Sequence, residues 1–254
     1  MKTFPVSDAG AALRYADLPG DGPTLIFLHG IGSASSFAFP EIAASRPLRA
    51  HRSILIDFLG FGYSDRPTAF DYSMDAHAET VTQLLDDLAV TGASLIAHSM
   101  GGAIAILVAA SRPAAVRRLV IAEGNLDPEP GIVSGIIATQ EQETYVERGH
   151  AELVARMRSA GFSEYARTVE IASPIAMHRS AVALIAGRSP TFREILYSLP
   201  TPCRFLISEE SKSDPDVKRL SDHGIPVSIV PSCGHDMMSD NPIGFAEAVA
   251  AAIS

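Results

Sequence analysis

Along this chain, short runs in which nearly every position is apolar alternate with longer stretches in which apolar residues return every third or fourth place. The runs Thr24-Leu25-Ile26-Phe27-Leu28, Ser53-Ile54-Leu55-Ile56-Asp57 and Ser94-Leu95-Ile96-Ala97 have no polar side to offer water, the pattern of strands covered on both faces. Reading the whole chain this way predicts strands at Thr3 to Val6, Ala12 to Leu18, Leu25 to Leu28, Ile54 to Asp57, Leu95 to His98, Arg118 to Glu123, Arg204 to Ser208 and Val227 to Val230. Between them, Val81, Leu84, Leu85 and Leu88 fall on one helical face behind Ser73, a residue suited to cap a helix start. Phe245, Ala248, Val249 and Ala252 do the same behind Asn241 and Pro242. Alternating strands and helices predict an α/β architecture, a mostly parallel twisted sheet of eight strands with helices on both faces.

One region breaks the alternation. From Asn125 to Pro200 the periodicity is helical throughout, with Glu141 to Met157, Tyr165 to Ile171 and Ala176 to Ile185 as candidate helices, and the region falls between two core strands.

Composition adds bounds rather than detail. With 254 residues, 47% of them hydrophobic and 19% charged, the chain can build one large core. A net charge of −9 without clustered Lys or Arg excludes nucleic acid as the main partner. The start, Met1-Lys2-Thr3-Phe4-Pro5, lacks a secretory pattern and no window reaches the roughly twenty apolar residues of a membrane span, so a cytoplasmic protein is expected. Cys203 and Cys233 lack metal-ligand spacing and read as reduced, partly buried thiols; no metal and no cofactor is expected.

Candidate chemistry centres on Ala97-His98-Ser99-Met100-Gly101-Gly102, where an apolar strand run stops and a helix-like run begins. A sharp strand-to-helix turn holds a serine exposed and rigid, and it needs small residues two places either side; Ala97 and Gly101 supply them. His29-Gly30-Ile31-Gly32 ends one strand run, and Phe58-Leu59-Gly60-Phe61-Gly62-Tyr63-Ser64 follows another. Cys233-Gly234-His235 lies between the last strand and the last helix. Together these segments resemble the α/β-hydrolase fold family, from about Leu25 to the C-terminus.

The resemblance implies a division into a core of residues 1–124 and 201–254 and a helical cap of residues 125–200 between the sixth and seventh strands. Apolar cap residues such as Ile136, Ile137, Leu153, Met157, Phe162, Tyr165, Ile171, Met177 and Leu184 are then expected to divide between joining cap to core and lining a substrate cavity. A serine nucleophile needs a histidine base and an acid that orients it. Ser99 is the expected nucleophile and His235 the expected base. The acid of most members follows the seventh strand, where this chain reads Glu209-Glu210-Ser211, with Ser211 in the carboxylate's place. A minority, including one group of haloalkane dehalogenases, carries a glutamate straight after the preceding strand, which Glu123 matches; Asp214, Glu210 and Glu209 are the alternatives. The backbone N–H groups of Ile31 and Met100 are the expected oxyanion donors. His29 is expected to brace the oxyanion loop and the Asp57 to Ser64 turn to support it. His98 is expected to point away from the serine, and His51, His77, His150, His178 and His223 to lie at the surface or in the cap.

These readings converge on a serine hydrolase that cleaves a small or medium hydrophobic carboxylic ester, with water as second substrate. An aspartate stands at Ser99's place in dehalogenases and epoxide hydrolases, which disfavours their chemistry. The rivals are a hydrolase of carbon-carbon bonds in ring-cleavage products, with Arg179, Arg188 or Arg193 binding a second carboxylate, and a slow-turnover ligand sensor of the same fold. A lyase and an idle scaffold are minor readings.

Overall fold

The computed structural model describes residues 1–254. The strands are β1 (Lys2–Val6), β2 (Ala11–Leu18), β3 (Gly22–Leu28), β4 (His51–Asp57), β5 (Ala93–His98), β6 (Val116–Ala122), β7 (Cys203–Ser208) and β8 (Val227–Val230). They form one sheet in the order β1-β2-β4-β3-β5-β6-β7-β8. β2 runs antiparallel to β1 and β4, and every other pairing is parallel. Eight strands were expected, and each is found within a few residues of its expected limits.

Helices α1 (Ser35–Ala38) and α2 (Pro40–Ala44) follow β3, α3 (Met74–Asp87) follows β4, and α4 (Met100–Ser111) follows β5. Ser73 caps α3 as expected, its hydroxyl accepting the Ala76 N–H. Between β6 and β7 the chain is helical: α5 (Ile132–Ala138), α6 (Gln142–Thr144), α7 (His150–Ser159), α8 (Ser163–Ile171), α9 (Pro174–Ala186) and α10 (Phe192–Ser198). A π-helical turn, Tyr145–Gly149, joins α6 to α7. α11 (Pro215–Asp222) precedes β8, and α12 (Met237–Asp240) and α13 (Pro242–Ile253) end the chain. Asn241 caps α13 through Gly244 N–H, with Pro242 in the first turn as expected. The sequence reading had no helix at α5, α10 or α11.

The sheet separates two apolar layers. On one face α3 and α4 bury Val81, Leu84, Leu85 and Ile104, and the same cluster continues without a break into Ile137, Leu153, Met157, Met177 and Leu184 of the helical insertion. On the other face Ile42, Phe245 and Val249 pack beneath Phe27, Ile96 and Val120. Of the insertion's expected apolar residues, Phe162 (56% exposed) and Ile171 (52%) join neither core; both face solvent. No single helix is long and apolar enough to cross a membrane.

In a parallel sheet all strands end on the same edge. Pairing of Leu28 with Ala97, His98 with Ala122, and Ala122 with Leu206 brings the loops after β3, β5, β6 and β7 together at the carboxyl edge, where α/β folds place their ligands.

Candidate active site

Ser99 sits between β5 and α4 with φ 51° and ψ −121°, a conformation strongly disfavoured for a residue with a Cβ. Two features hold it there. Its N–H donates to the Ala122 carbonyl at 2.9 Å, tying the turn to the end of β6. Gly101 lies so close to β3 that an added Cβ would come within 2.5 Å of the Leu28 carbonyl oxygen and 2.8 Å of that of His29. The small residue expected two places after the serine is therefore demanded by backbone atoms that cannot move aside.

β6 stops one residue short of its expected end, and Glu123 takes the left-handed φ of 42° just beyond it. That bend carries its carboxylate across β7. Oε1 accepts from the Ser208 N–H at 2.9 Å and the Ser208 hydroxyl at 2.6 Å, and Oε2 accepts from His235 Nδ1 at 2.6 Å. Burial works against ionisation, but these hydrogen bonds outweigh it and bring the Glu123 pKa down to about 2.

For His235 burial likewise opposes charging, and the bond and charge of Glu123, with Asp236 alongside, overcome it and raise the imidazole above its ordinary value. Protein atoms crowd the ring on most sides, yet 52% of the side-chain surface stays open to solvent against 11% for Glu123, so part of this effect is screened. Because a carboxylate only accepts, Nδ1 carries the proton and Nε2 is left with a lone pair.

Two of the alternatives to Glu123 are occupied elsewhere. Asp214 caps α11, accepting the Asp216 N–H at 2.8 Å. Glu209 accepts the Ser232 N–H and pairs with Lys212, pinning the turn before His235 rather than its ring. Glu210 lies beside Gly234.

Two buried histidines act as braces, each with a definite tautomer. His98, expected to point away from the serine, reaches His235: its Nε2–H donates to the His235 carbonyl at 3.0 Å and the rings lie 4.6 Å apart. Burial first, then the charge of His235, push its pKa to about 3, so it stays neutral. His29 donates Nδ1–H to the Gly30 carbonyl and accepts the Phe58 N–H at Nε2; burial lowers it to about 4. His77, expected at the surface or in the cap, is instead fully buried in α3, bonded through Nε2 to Ser180 of α9.

The loop after β3 lies against the nucleophile. A Cβ added to Gly30 would stand 3.1 Å from Ser99 Cβ. Asp57 anchors the loop's far end, accepting from Ser36 N–H and hydroxyl and from Tyr63 N–H, in keeping with the expected support from the Asp57 to Ser64 turn. Ile31 N–H makes no backbone hydrogen bond, and Met100 opens α4, where the helix dipole is positive. Both cysteines are free, and no cluster of His, Cys, Asp or Glu is arranged to hold a metal. Sequence reasoning missed Ser208: a hydroxyl at the end of a strand carries no motif, and its only signal was that Ser211 stands where most family members carry their acid.

A sheet of this order, with a serine on a strained turn after its fifth strand, defines a hydrolase architecture. The family model for the alpha/beta hydrolase fold matches residues 23–145. The chain is similar to the 2-hydroxymuconate semialdehyde hydrolase of Pseudomonas sp. (strain CF600), 38% identical over 108 residues, a match spanning 40% of this chain and only 36% of that protein. It is 28% identical over 261 residues to the sn-1-specific diacylglycerol lipase ABHD11 of Mus musculus, covering 93% of this chain and 83% of the lipase. In three dimensions it matches a thermophilic esterase from Thermogutta terrifontis with a TM-score of 0.81 at 18% identity, over 98% of this chain and 97% of the esterase; at that identity the likeness speaks for the fold alone. The chain belongs to the α/β-hydrolase fold superfamily.

Proposed function

We propose that this chain is a serine hydrolase of small or medium hydrophobic carboxylic esters, with Ser99 as nucleophile, His235 as general base and acid, and Glu123 as the carboxylate that orients it. The observation carrying the reading is the 2.6 Å bond from Nδ1 of His235 to Glu123, made where His98, the residue before Ser99, bonds the His235 backbone. Ser99 Oγ bonds to the ester carbonyl carbon as its proton passes to His235 Nε2, and the carbonyl electron pair moves onto oxygen, held by Ile31 and Met100 N–H. Collapse breaks the bond to the alcohol, which leaves with the proton from His235. Water then gives a proton to His235 and its hydroxyl to the acyl carbon, and as the bond from that carbon to Ser99 Oγ breaks, His235 returns the proton to Oγ, releasing the acid and restoring Ser99. The helices of residues 125–200 act as a cap over this site.

The likeness to a 2-hydroxymuconate semialdehyde hydrolase favours carbon-carbon bond hydrolysis as a second reading. Against it, the arginines that could hold a second carboxylate are engaged. Arg179 donates to Gln142 and to the Thr68 and Phe70 carbonyls, Arg188 pairs with Asp75, and Arg193 with Asp127 and Asp216.

The test is a p-nitrophenyl ester series of increasing chain length on four proteins. Relative to wild type, Ser99→Ala is expected to lose about a thousandfold or more in kcat, Glu123→Gln about a hundredfold or more, and Asp214→Asn nothing measurable. Retained activity in Ser99→Ala would end the proposal. Loss in Asp214→Asn with retention in Glu123→Gln would move the acid, and turnover too slow to follow with every ester would favour the sensor.

A further inference from the structure

The loop that carries Ile31 is held from above as well as below. Tyr165 stands in α8 of the helical insertion, 134 residues from Ile31 in sequence, and its hydroxyl donates to the Ile31 carbonyl at 2.8 Å. At the next residue the fit is as close: Gly32 has φ +71°, and a Cβ there would lie 2.8 Å from both Tyr165 Oη and Val169 Cγ2 and 3.1 Å from Met177 Cε. So α8 and α9 together grip the peptide that follows Ile31, and the phenol is the polar contact in that grip. Burial, with the charge of Asp236 adding to it, pushes the Tyr165 pKa far above the ordinary phenol value, which keeps the proton on the oxygen and the bond in place.

A tetrahedral oxyanion gains most from donors already aimed at it, because no reorganisation is then needed as charge develops. Ile31 N–H has no backbone acceptor to fix its direction. It lies in the Gly30–Ile31 peptide plane, whose carbonyl is braced by His29, and the next plane, Ile31–Gly32, is braced by Tyr165, which limits rotation about Ile31. From this geometry we infer that Tyr165 is a positioning residue: through the Ile31 carbonyl it couples the seating of the helical insertion to the aim of the Ile31 N–H. Substrate can thus meet a competent oxyanion site only when the insertion is docked.

The inference rests on the serine-hydrolase reading above, and the experiment separates the two. Tyr165→Phe keeps the ring and removes the donor. With p-nitrophenyl butyrate it is expected to lower kcat about tenfold while KM stays within about twofold. The acid limb of the pH profile should stay where it is, since His235 and Glu123 are untouched. Two inhibitors then report the oxyanion directly: an alkyl trifluoromethyl ketone, to which Ser99 adds to form a charged hemiketal, and the matching alkyl alcohol, which forms none. Weaker binding of the ketone by the same factor as kcat, with alcohol binding unchanged, supports the coupling. Both are ratios for the folded protein, so partial loss of material does not disturb them. Unchanged kcat, or equal weakening of both inhibitors as a merely structural role would give, overturns it. An active Ser99→Ala protein would instead remove the parent reading.

Discussion

At the scale of single residues the site is governed by one ion pair and what competes with it. Glu123 lowered to about 2 and His235 raised above its ordinary 6.5 are two faces of the same bond. On the proposed mechanism His235 must be neutral to accept a proton, so kcat/KM is expected to fall as pH drops through its raised value, with the midpoint of that limb above 6.5. Glu123→Gln removes the charge that raises it, and the limb in the residual activity should move to lower pH; an unmoved limb would show that the pair does not set it. Stability follows the same signs. The His235 contribution is complete below 6.5 and fades as pH rises through its folded value, whereas that of Glu123 is complete above 4.5 and fades as pH falls toward about 2. The Tm gap between wild type and Glu123→Gln is therefore expected to be wider at pH 6 than at pH 9. Ser99 and His235 could be read from the chain because each stands in a motif with glycine on one side or both. Glu123 could be read because a carboxylate ending a buried strand needs a partner. Ser208 and Tyr165 could not: each acts through one hydroxyl bonded to a segment far away in sequence.

Among the elements, the tightest constraint is where α4 meets β3. Gly101→Ala places a methyl against two backbone carbonyls, so helix and strand must part. The expected cost is about 1–3 kcal/mol in chemical denaturation, with kcat reduced because the start of α4 carries Ser99 and Met100. A Gly101→Ala protein as stable and as active as wild type would show that this contact is not needed. Continuous apolar runs made the central strands legible, since only burial on both faces tolerates them. Short helices were harder. α11 buries Leu220 alone, too little to show a period, though Asp214-Pro215 is a helix-start signature that, read as such, removes Asp214 from the acid candidates. His77 was misplaced for a different reason. It stands four residues before Val81 on the same helical face, so the periodicity already put it in the core, and its polarity argued wrongly against that.

For the whole molecule the question is what holds residues 125–200 on the core; beside the bonds of Arg179, Arg188, Ser180 and Tyr165, the polar part of the answer includes Arg193. Its side chain, 12% exposed, bonds Asp127 at the start of the insertion and Asp216 in α11, while itself standing in α10 near the insertion's end. Burial works against the charge, but the bonds to Asp127, Tyr197 and Asp216 outweigh it and hold the Arg193 pKa far above its ordinary value. One cation thus ties the two ends of the insertion to each other and to the helix that follows β7. Arg193→Ala leaves two partly buried carboxylates facing each other, and a loss of about 2 kcal/mol is expected, or about 4–8 °C in Tm for a chain of this size. Arg193→Ala with Asp127→Asn relieves that repulsion, so the double variant should recover part of the loss, where independent sites would add. Limited proteolysis supplies the spatial readout: in Arg193→Ala the first cuts are expected within residues 125–200, with the core fragments outlasting them. Equal Tm and an unchanged cleavage pattern would mean that apolar packing by Ile137, Leu153, Met177 and Leu184 holds the insertion without help, and that its docking is as permanent as the sheet itself.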